Sequence, residues 1–180
     1  NLSATALGAL TSTQLKGVTT AQLSGLTSTA LSNLSSTQIG QLSTAQIGAL
    51  NTTNLGNLAT TQVSGLSAAQ VASLSNTNLG ALNATSVATL NATQIGGLTT
   101  AQMAGLSATN LGKLKDTQIA LLASTQVGAL NATNFSNLSA TALGALSCEQ
   151  FRTCTSDGSC PDAAACVALF GALLLALRAV

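Results

Sequence analysis

The side chains of this chain that could do chemistry are few, and they gather toward its C-terminal end. Cys148, Cys154, Cys160 and Cys166 follow one another at intervals of six. Four thiolates could hold zinc, but tetrahedral zinc sites draw on cysteine pairs about two to four residues apart, a spacing absent here. There is no histidine to complete a mixed ligand set. Two disulfides are the better reading for a secreted chain, with three pairings open. No metal or other cofactor is expected.

Catalytic groups are scarcer still. General acid–base work needs a histidine or paired carboxylates, and before residue 146 the one carboxylate is Asp116. A Ser or Cys nucleophile needs a base beside it, and no histidine exists to serve. Lys113, Lys115 and Asp116 lie close together, which reads as solvated surface. No glycine-rich phosphate motif occurs. The chain is therefore not expected to be an enzyme. With 5% charged residues and a net charge of +1, no field steers it toward nucleic acid.

The elements that carry these residues come from a repeat. Cut from Leu2, residues 2–145 divide into eighteen octads without an insertion. The first position is Leu in seventeen octads and Val18 in the other, and the sixth is always apolar. The second is Ser, Thr or Asn in fifteen, the fourth Thr in fourteen and the fifth Gln or Asn in fourteen. Thirteen octads place Gly at position seven or eight. A period this strict marks a solenoid. Its core is read from positions one and six, represented by Leu10, Leu15, Leu42, Ile47, Leu98, Met103, Leu130 and Phe135.

One long helix does not suit the octad. Eight residues turn an α-helix by about 800°, so the apolar positions would wander round the cylinder. A short helix in each octad fits better. In Leu42–Ala49, Ser43 is a good N-cap and Gln46 stands where a capping box needs it. Leu42 and Ile47 match a hydrophobic staple, and Gly48 could end the turn in a left-handed conformation. Six octads carry the full pair: Thr11/Gln14, Thr19/Gln22, Ser35/Gln38, Ser43/Gln46, Ser67/Gln70 and Thr99/Gln102. Octads with Asn or Ala at the cap are expected to cap less well. The rival is a β-solenoid with one strand per octad, suited to Thr, Val and Ile. Against it, an odd spacing of five puts the two apolar positions on opposite faces of a strand. In either case no octad is stable alone, since isolated helices shorter than about 12 residues are marginal. Neighbours must hold one another up.

Octads such as Leu42–Ala49 and Leu98–Gly105 resemble the Leu-Thr-Thr-Ala-Gln-Ile/Val repeats of large secreted and surface proteins of microbes. The resemblance covers residues 2–145 and implies an elongated, surface-exposed module without a defined activity.

Residues 146–180 are expected to form a separate tail, because the octad register fails after Leu146. Their cysteines could tie a cap over the end of the array. Alternatively, small residues at Ser156–Ser159 before the apolar run Val167–Leu177 read as a lipid-anchor signal, from which Arg178 departs. Apart from such an anchor, no membrane partner is expected.

Eight Asn-x-Ser/Thr sequons stand at Asn1, Asn33, Asn51, Asn83, Asn91, Asn131, Asn134 and Asn137. They are candidates for covalent glycans in a glycosylating host. The chain begins at Asn1 without Met, as it would after removal of a secretory signal.

The expectation is an extracellular or cell-surface structural protein, a surface, matrix or fibre-forming module that associates with itself or with surface and matrix components. Two alternatives stay open. A Ser/Thr-x-Thr array such as Thr11–Thr13 could bind ice or a crystal surface, its hydroxyls about 4.7 Å apart if the coil is β. An adhesin stalk is the other, although Phe135, Phe151 and Phe170 are the only aromatic residues.

Overall fold

The octad folds because its polar positions close a local hydrogen-bond cycle around two apolar ones. In Leu42–Ala49, the Ser43 hydroxyl accepts from the Gln46 amide at 3.2 Å, and Gln46 Oε1 accepts from the Ser43 amide at 2.7 Å. The Ile47 amide donates to the Ser43 carbonyl at 3.0 Å, completing one helical turn. The next octad's Leu50 amide donates to the Ile47 carbonyl at 3.2 Å. This last bond spans three residues and tightens the end of the helix.

The structure, a computed structural model, describes residues 4–146 and Gln150. Among them are eighteen helices of four to six residues, one per octad, and no strand. The fold is a short-helix repeat solenoid. The β-solenoid alternative is not formed, and with it goes a 4.7 Å ladder of threonines. The odd spacing of the apolar positions is the reason: a helical turn brings positions one and six to the same side, which a strand cannot do.

Two compact units divide the chain, Asn1–Leu98 and Thr99–Val180. The first holds α1 (Ala4–Gly8) to α12 (Ala92–Gly96), and the second α13 (Thr100–Gly105) to α18 (Ala140–Ala145). In the first unit, α3 (Thr20–Ser24), α6 (Thr44–Gly48), α9 (Ala68–Ser73) and α12 stack in succession, each on the helix three octads earlier. A second column runs α1, α4 (Ser28–Leu31), α7 (Thr52–Gly56) and α10 (Asn76–Ala81). The third runs α2 (Ser12–Gly17), α5 (Ser36–Gln41), α8 (Thr60–Ser64) and α11 (Ala84–Val87). One turn of the coil is therefore three octads, giving three sides. The second unit repeats this rule: α13 packs with α16 (Ser124–Gly128), α14 (Ala108–Leu111) with α17 (Ala132–Ser136), and α15 (Asp116–Ile119) with α18.

The interior is aliphatic. Position six supplies Leu15, Leu23, Ile39, Ile47, Leu55, Val63 and Ile95, all with no exposed area. Position one supplies Leu34, Leu42, Leu50, Leu58 and Leu82, at 1–3% exposure. Leu98 and Met103 are likewise buried, whereas Leu10, Leu130 and Phe135 are half-buried. For Leu10 the reason is its place in the first coil, against whose outer side no described coil lies.

All six predicted capping boxes form. Asn caps as well as Ser or Thr does, contrary to expectation: Asn51, Asn83 and Asn131 each accept from the amide three residues on at 2.8 Å. A short carbonyl side chain reaches that amide without strain. Ala59, Lys115 and Ala123 give no side-chain cap, as expected for Ala.

The glycines do something other than expected. Gly48 lies inside α6, and the helix is closed by Ala49 in a right-handed conformation, φ −85°. The three-residue bond from Leu50 ends the turn, so no left-handed residue is needed. What glycine provides is close approach between coils. A Cβ on Gly40 would stand 2.7 Å from the Gly65 carbonyl oxygen, and one on Gly97 2.7 Å from that of Ala68. One on Gly65 would collide with the backbone of Ser36. Position seven of one octad thus lies against position eight of the octad three later, and backbone meets backbone.

Glycine substitutions should therefore change stability in opposite directions. Gly65→Ala should lower unfolding free energy by about 1–3 kcal/mol through overpacking. Gly96→Ala, with open space around its Cβ, should raise it by about 0.4–1 kcal/mol. Chemical denaturation followed by circular dichroism measures both.

Candidate functional site

Position five carries a second task that its capping role conceals. Gln46 turns Oε1 to its own cap and its Nε2 to the preceding coil, donating to the carbonyls of Leu15 at 2.9 Å and Val18 at 2.6 Å. Gln62 does the same to Leu31 and Leu34, at 2.9 and 2.7 Å. Gln70 reaches Ile39 and Leu42 at 2.8 and 2.7 Å, and Gln94 reaches Val63 and Leu66 at 2.8 and 2.7 Å. These four side chains are only 1–4% exposed. Each links its own octad to the junction between the octads four and three earlier.

The chemistry explains why an amide stands here. A primary amide has one acceptor oxygen and two donor hydrogens. The oxygen serves a helix N-terminus; one hydrogen serves the buried position-one carbonyl, and the other adds a second bond to the position-six carbonyl, which already accepts from the amide three residues on. Shorter residues do part of the work. Asn54 Nδ2 reaches Leu26 at 2.9 Å, Asn134 Nδ2 reaches Leu106 at 2.7 Å, and Ser86 Oγ reaches Leu58 at 3.2 Å. In all three cases the acceptor belongs to position one.

One signal in the sequence did point to this role. Gln62, Gln118 and Gln126 remain where the cap residue is Ala59, Lys115 or Ala123, so capping alone does not account for them. Gln150 extends the pattern past the expected boundary at residue 146. Its Nε2 donates to the carbonyls of Ala120 at 3.0 Å and Leu122 at 2.5 Å. Leu146 is buried, so Leu146 and Gln150 stand at positions one and five of a further octad.

The outer surface is the other shared feature. Position four is exposed in every octad, and two sides of the first unit carry unbroken threonine columns. They are Thr5, Thr29, Thr53 and Thr77 on one side, and Thr13, Thr37, Thr61 and Thr85 on the next. The third side has Ala21, Ala45, Ala69 and Thr93 in that place.

The other predicted residues are scattered over this frame. Asn33 and Asn137 are exposed, with Nδ2 donating to the Thr29 and Thr133 carbonyls at 2.7 Å. Asn51, Asn83 and Asn131 are exposed caps whose Nδ2 atoms reach the Ser24, Gly56 and Ala104 carbonyls. Asn91 is an exposed cap bonded to the Gln94 amide at 3.0 Å. Asn134 is 1% exposed. Asp116 Oδ1 accepts from Ser139 Oγ at 2.9 Å. Asn1, the four cysteines and the apolar tail lie outside the described residues. Among the described residues, no cluster of three potential metal ligands occurs and no helix is long and apolar enough to cross a membrane.

Replacing a buried ladder amide by a carboxyl of the same shape should expose the difference between inside and outside. Gln70→Glu removes two donors from buried carbonyls and should cost about 3 kcal/mol or more. Gln14→Glu, at an exposed octad, should stay within about 0.5 kcal/mol of the parent. Thermal unfolding of both variants checks this.

The family model described as the ALTTAQ repeat matches residues 19–52. No curated protein and no solved structure matches the chain. The matched stretch runs from the cap of α3 to the start of α7 and includes the Thr19/Gln22, Ser35/Gln38 and Ser43/Gln46 pairs. The chain is a repeat protein, and the repeat it shares with that model is the one that builds its helices.

Proposed function

We propose that this chain is a non-enzymatic structural repeat protein of the cell surface or extracellular matrix, whose work is to present a long neutral surface and associate with itself or with matrix components. The observation that carries this reading is the division of labour within the octad. Positions one, five and six hold the coil together, and positions two and four face outward with hydroxyl, amide or methyl groups. Uncharged Ser, Thr and Asn give a hydrated surface with little electrostatic character. Such a surface suits packing beside other uncharged polymers better than selective capture of a charged ligand. The surface and extracellular location is supported by the resemblance to secreted microbial repeats and by the sequons. Bridged cysteines and a lipid anchor in the tail belong to the same reading.

A second reading has one observation in its favour. The two threonine columns could meet an ordered solid such as ice, with neighbouring helices about 8–10 Å apart. That spacing is coarser than the β-type ladder which first suggested the idea. A stalk for an adhesin is a third use of the same surface.

Small-angle scattering and thermal hysteresis separate these readings. The structural reading expects a particle longer than a globule of its mass and no freezing-point hysteresis. A compact monomer would contradict it, and concentration-dependent hysteresis would favour the second reading. Expressed in a glycosylating host, the folded protein should carry no glycan at Asn134, whose amide nitrogen is buried and bonded to Leu106. Glycopeptide mapping reads this directly.

A further inference from the structure

Among the described residues, six of the seven sequon asparagines spend their Nδ2 on a backbone carbonyl, at 2.7–3.1 Å. Asn91 is the exception. Its Oδ1 accepts from the Gln94 amide at 3.0 Å, and its main-chain amide donates to Gln94 Oε1 at 2.9 Å. Its Nδ2 meets no acceptor among the described residues, and the side chain is exposed.

The cause lies three residues on. Asn51, Asn83 and Asn131 cap octads whose position five is short: Asn54, Ser86 or Asn134. The donor of each short side chain reaches the position-one carbonyl of the preceding coil alone. The cap's Nδ2 then adds a second tie, to the position-seven carbonyl of Ser24, Gly56 or Ala104. The octad of Asn91 instead joins an asparagine cap to a full-length glutamine. Gln94 makes both ties itself, to Val63 and Leu66, which leaves the Asn91 amide hydrogens without a structural task. The backbone differs accordingly, with ψ 173° at Asn91 against 157–163° at the other three caps.

We propose that Asn91 is an N-glycan attachment site that the folded solenoid keeps available, its substrate a sugar activated on a diphosphate. The acceptor is the sequon Asn91-Ala92-Thr93, whose Thr93 is exposed with a hydroxyl that meets no partner among the described residues. In the transfer, Nδ2 forms a bond to the anomeric carbon and the bond from that carbon to the donor's phosphate oxygen breaks. The diphosphate leaves with the electron pair, and an amide proton passes to a base of the transferase. Oδ1 takes no part, so the cap on the Gln94 amide survives. The same side of the coil carries small exposed residues, Ala69 on the helix stacked before and Gly96, where a Cβ would meet nothing within 4 Å. At the six other sequons Nδ2 lies against a carbonyl, and a sugar there competes with that contact for space. The glycan stands on the third side of the coil and leaves both threonine columns uncovered. This inference rests on the surface reading, which brings the chain before such a transferase, and it narrows the described sequons to one.

The test takes the folded full chain, made in a host without glycosylation, and treats it with a soluble N-glycosyltransferase and a nucleoside-diphosphate hexose. The same chain digested to peptides is the reference. Among the described sequons, glycopeptide mapping should find hexose at several in the digest and at Asn91 alone in the folded chain. Asn54→Gln probes the cause: the longer amide takes over both ties of its octad, frees the Asn51 Nδ2 and should add a second hexose at Asn51, with the parent's circular dichroism retained. Hexose at Asn51, Asn83 and Asn131 of the folded parent as readily as at Asn91 overturns the assignment, and so does an Asn91 left bare while its peptide is modified. Either result leaves the surface reading standing, because scattering decides that reading and the transfer decides the site.

Discussion

The fold depends on a primary amide that is shared between two coils. One glutamine side chain accepts from the start of its own helix and donates twice to the coil before it. The first bond reinforces the cap of its own helix; without the other two, the position-one carbonyl of the preceding coil loses its partner and the position-six carbonyl keeps only the bond within its own coil. Leucine and isoleucine supply the driving force for burial, which has no direction. The amide supplies direction. It requires the next coil to arrive in one register, three octads on, with backbone close enough that Gly40, Gly65 and Gly97 tolerate no side chain.

This coupling also explains how helices of four to six residues persist, although isolated helices need about 12–15. Each helix borrows its stability from the one three octads away. Stability is then a property of neighbouring coils, as in other solenoids. The variation along the array has a physical order. Where Asn54, Asn134 or Ser86 replaces glutamine, the shorter side chain keeps the contact to position one and loses the longer reach. In the first unit two sides carry threonine at position four, while the third carries alanine in three octads and Thr93 in the last; the position is exposed throughout, so packing does not fix its choice.

Much of the local structure was legible from residues three or five apart. The Ser43/Gln46 pair and the apolar Leu42 and Ile47 specify a capped turn by themselves, and those interactions lie within one octad. The partner of Gln46 Nε2 lies 28 and 31 residues away, at a distance that eightfold similarity makes ambiguous: every earlier octad offers the same carbonyls. The number of octads per turn was hidden for that reason. Gly48 misled because glycine serves both left-handed turns and close packing, and only the stacked coils distinguish them. Gln150 was missed because Cys148 and Glu149 break the look of the repeat while leaving positions one and five intact. The surface of the solenoid was readable as polar and uncharged, but its use was not, since nothing in a hydroxyl row names what lies against it.

The central claim is that buried glutamine amides tie each coil to the one before. Hydrogen exchange of the side-chain NH2 groups, resolved by nuclear magnetic resonance on the intact chain, tests it most directly. The account predicts slow exchange for Gln46, Gln62, Gln70 and Gln94, alongside solvent-rate exchange for Gln14 and Gln22 in the monomer. Uniformly fast exchange at all six would contradict it, since the coils would then be held by apolar contact alone.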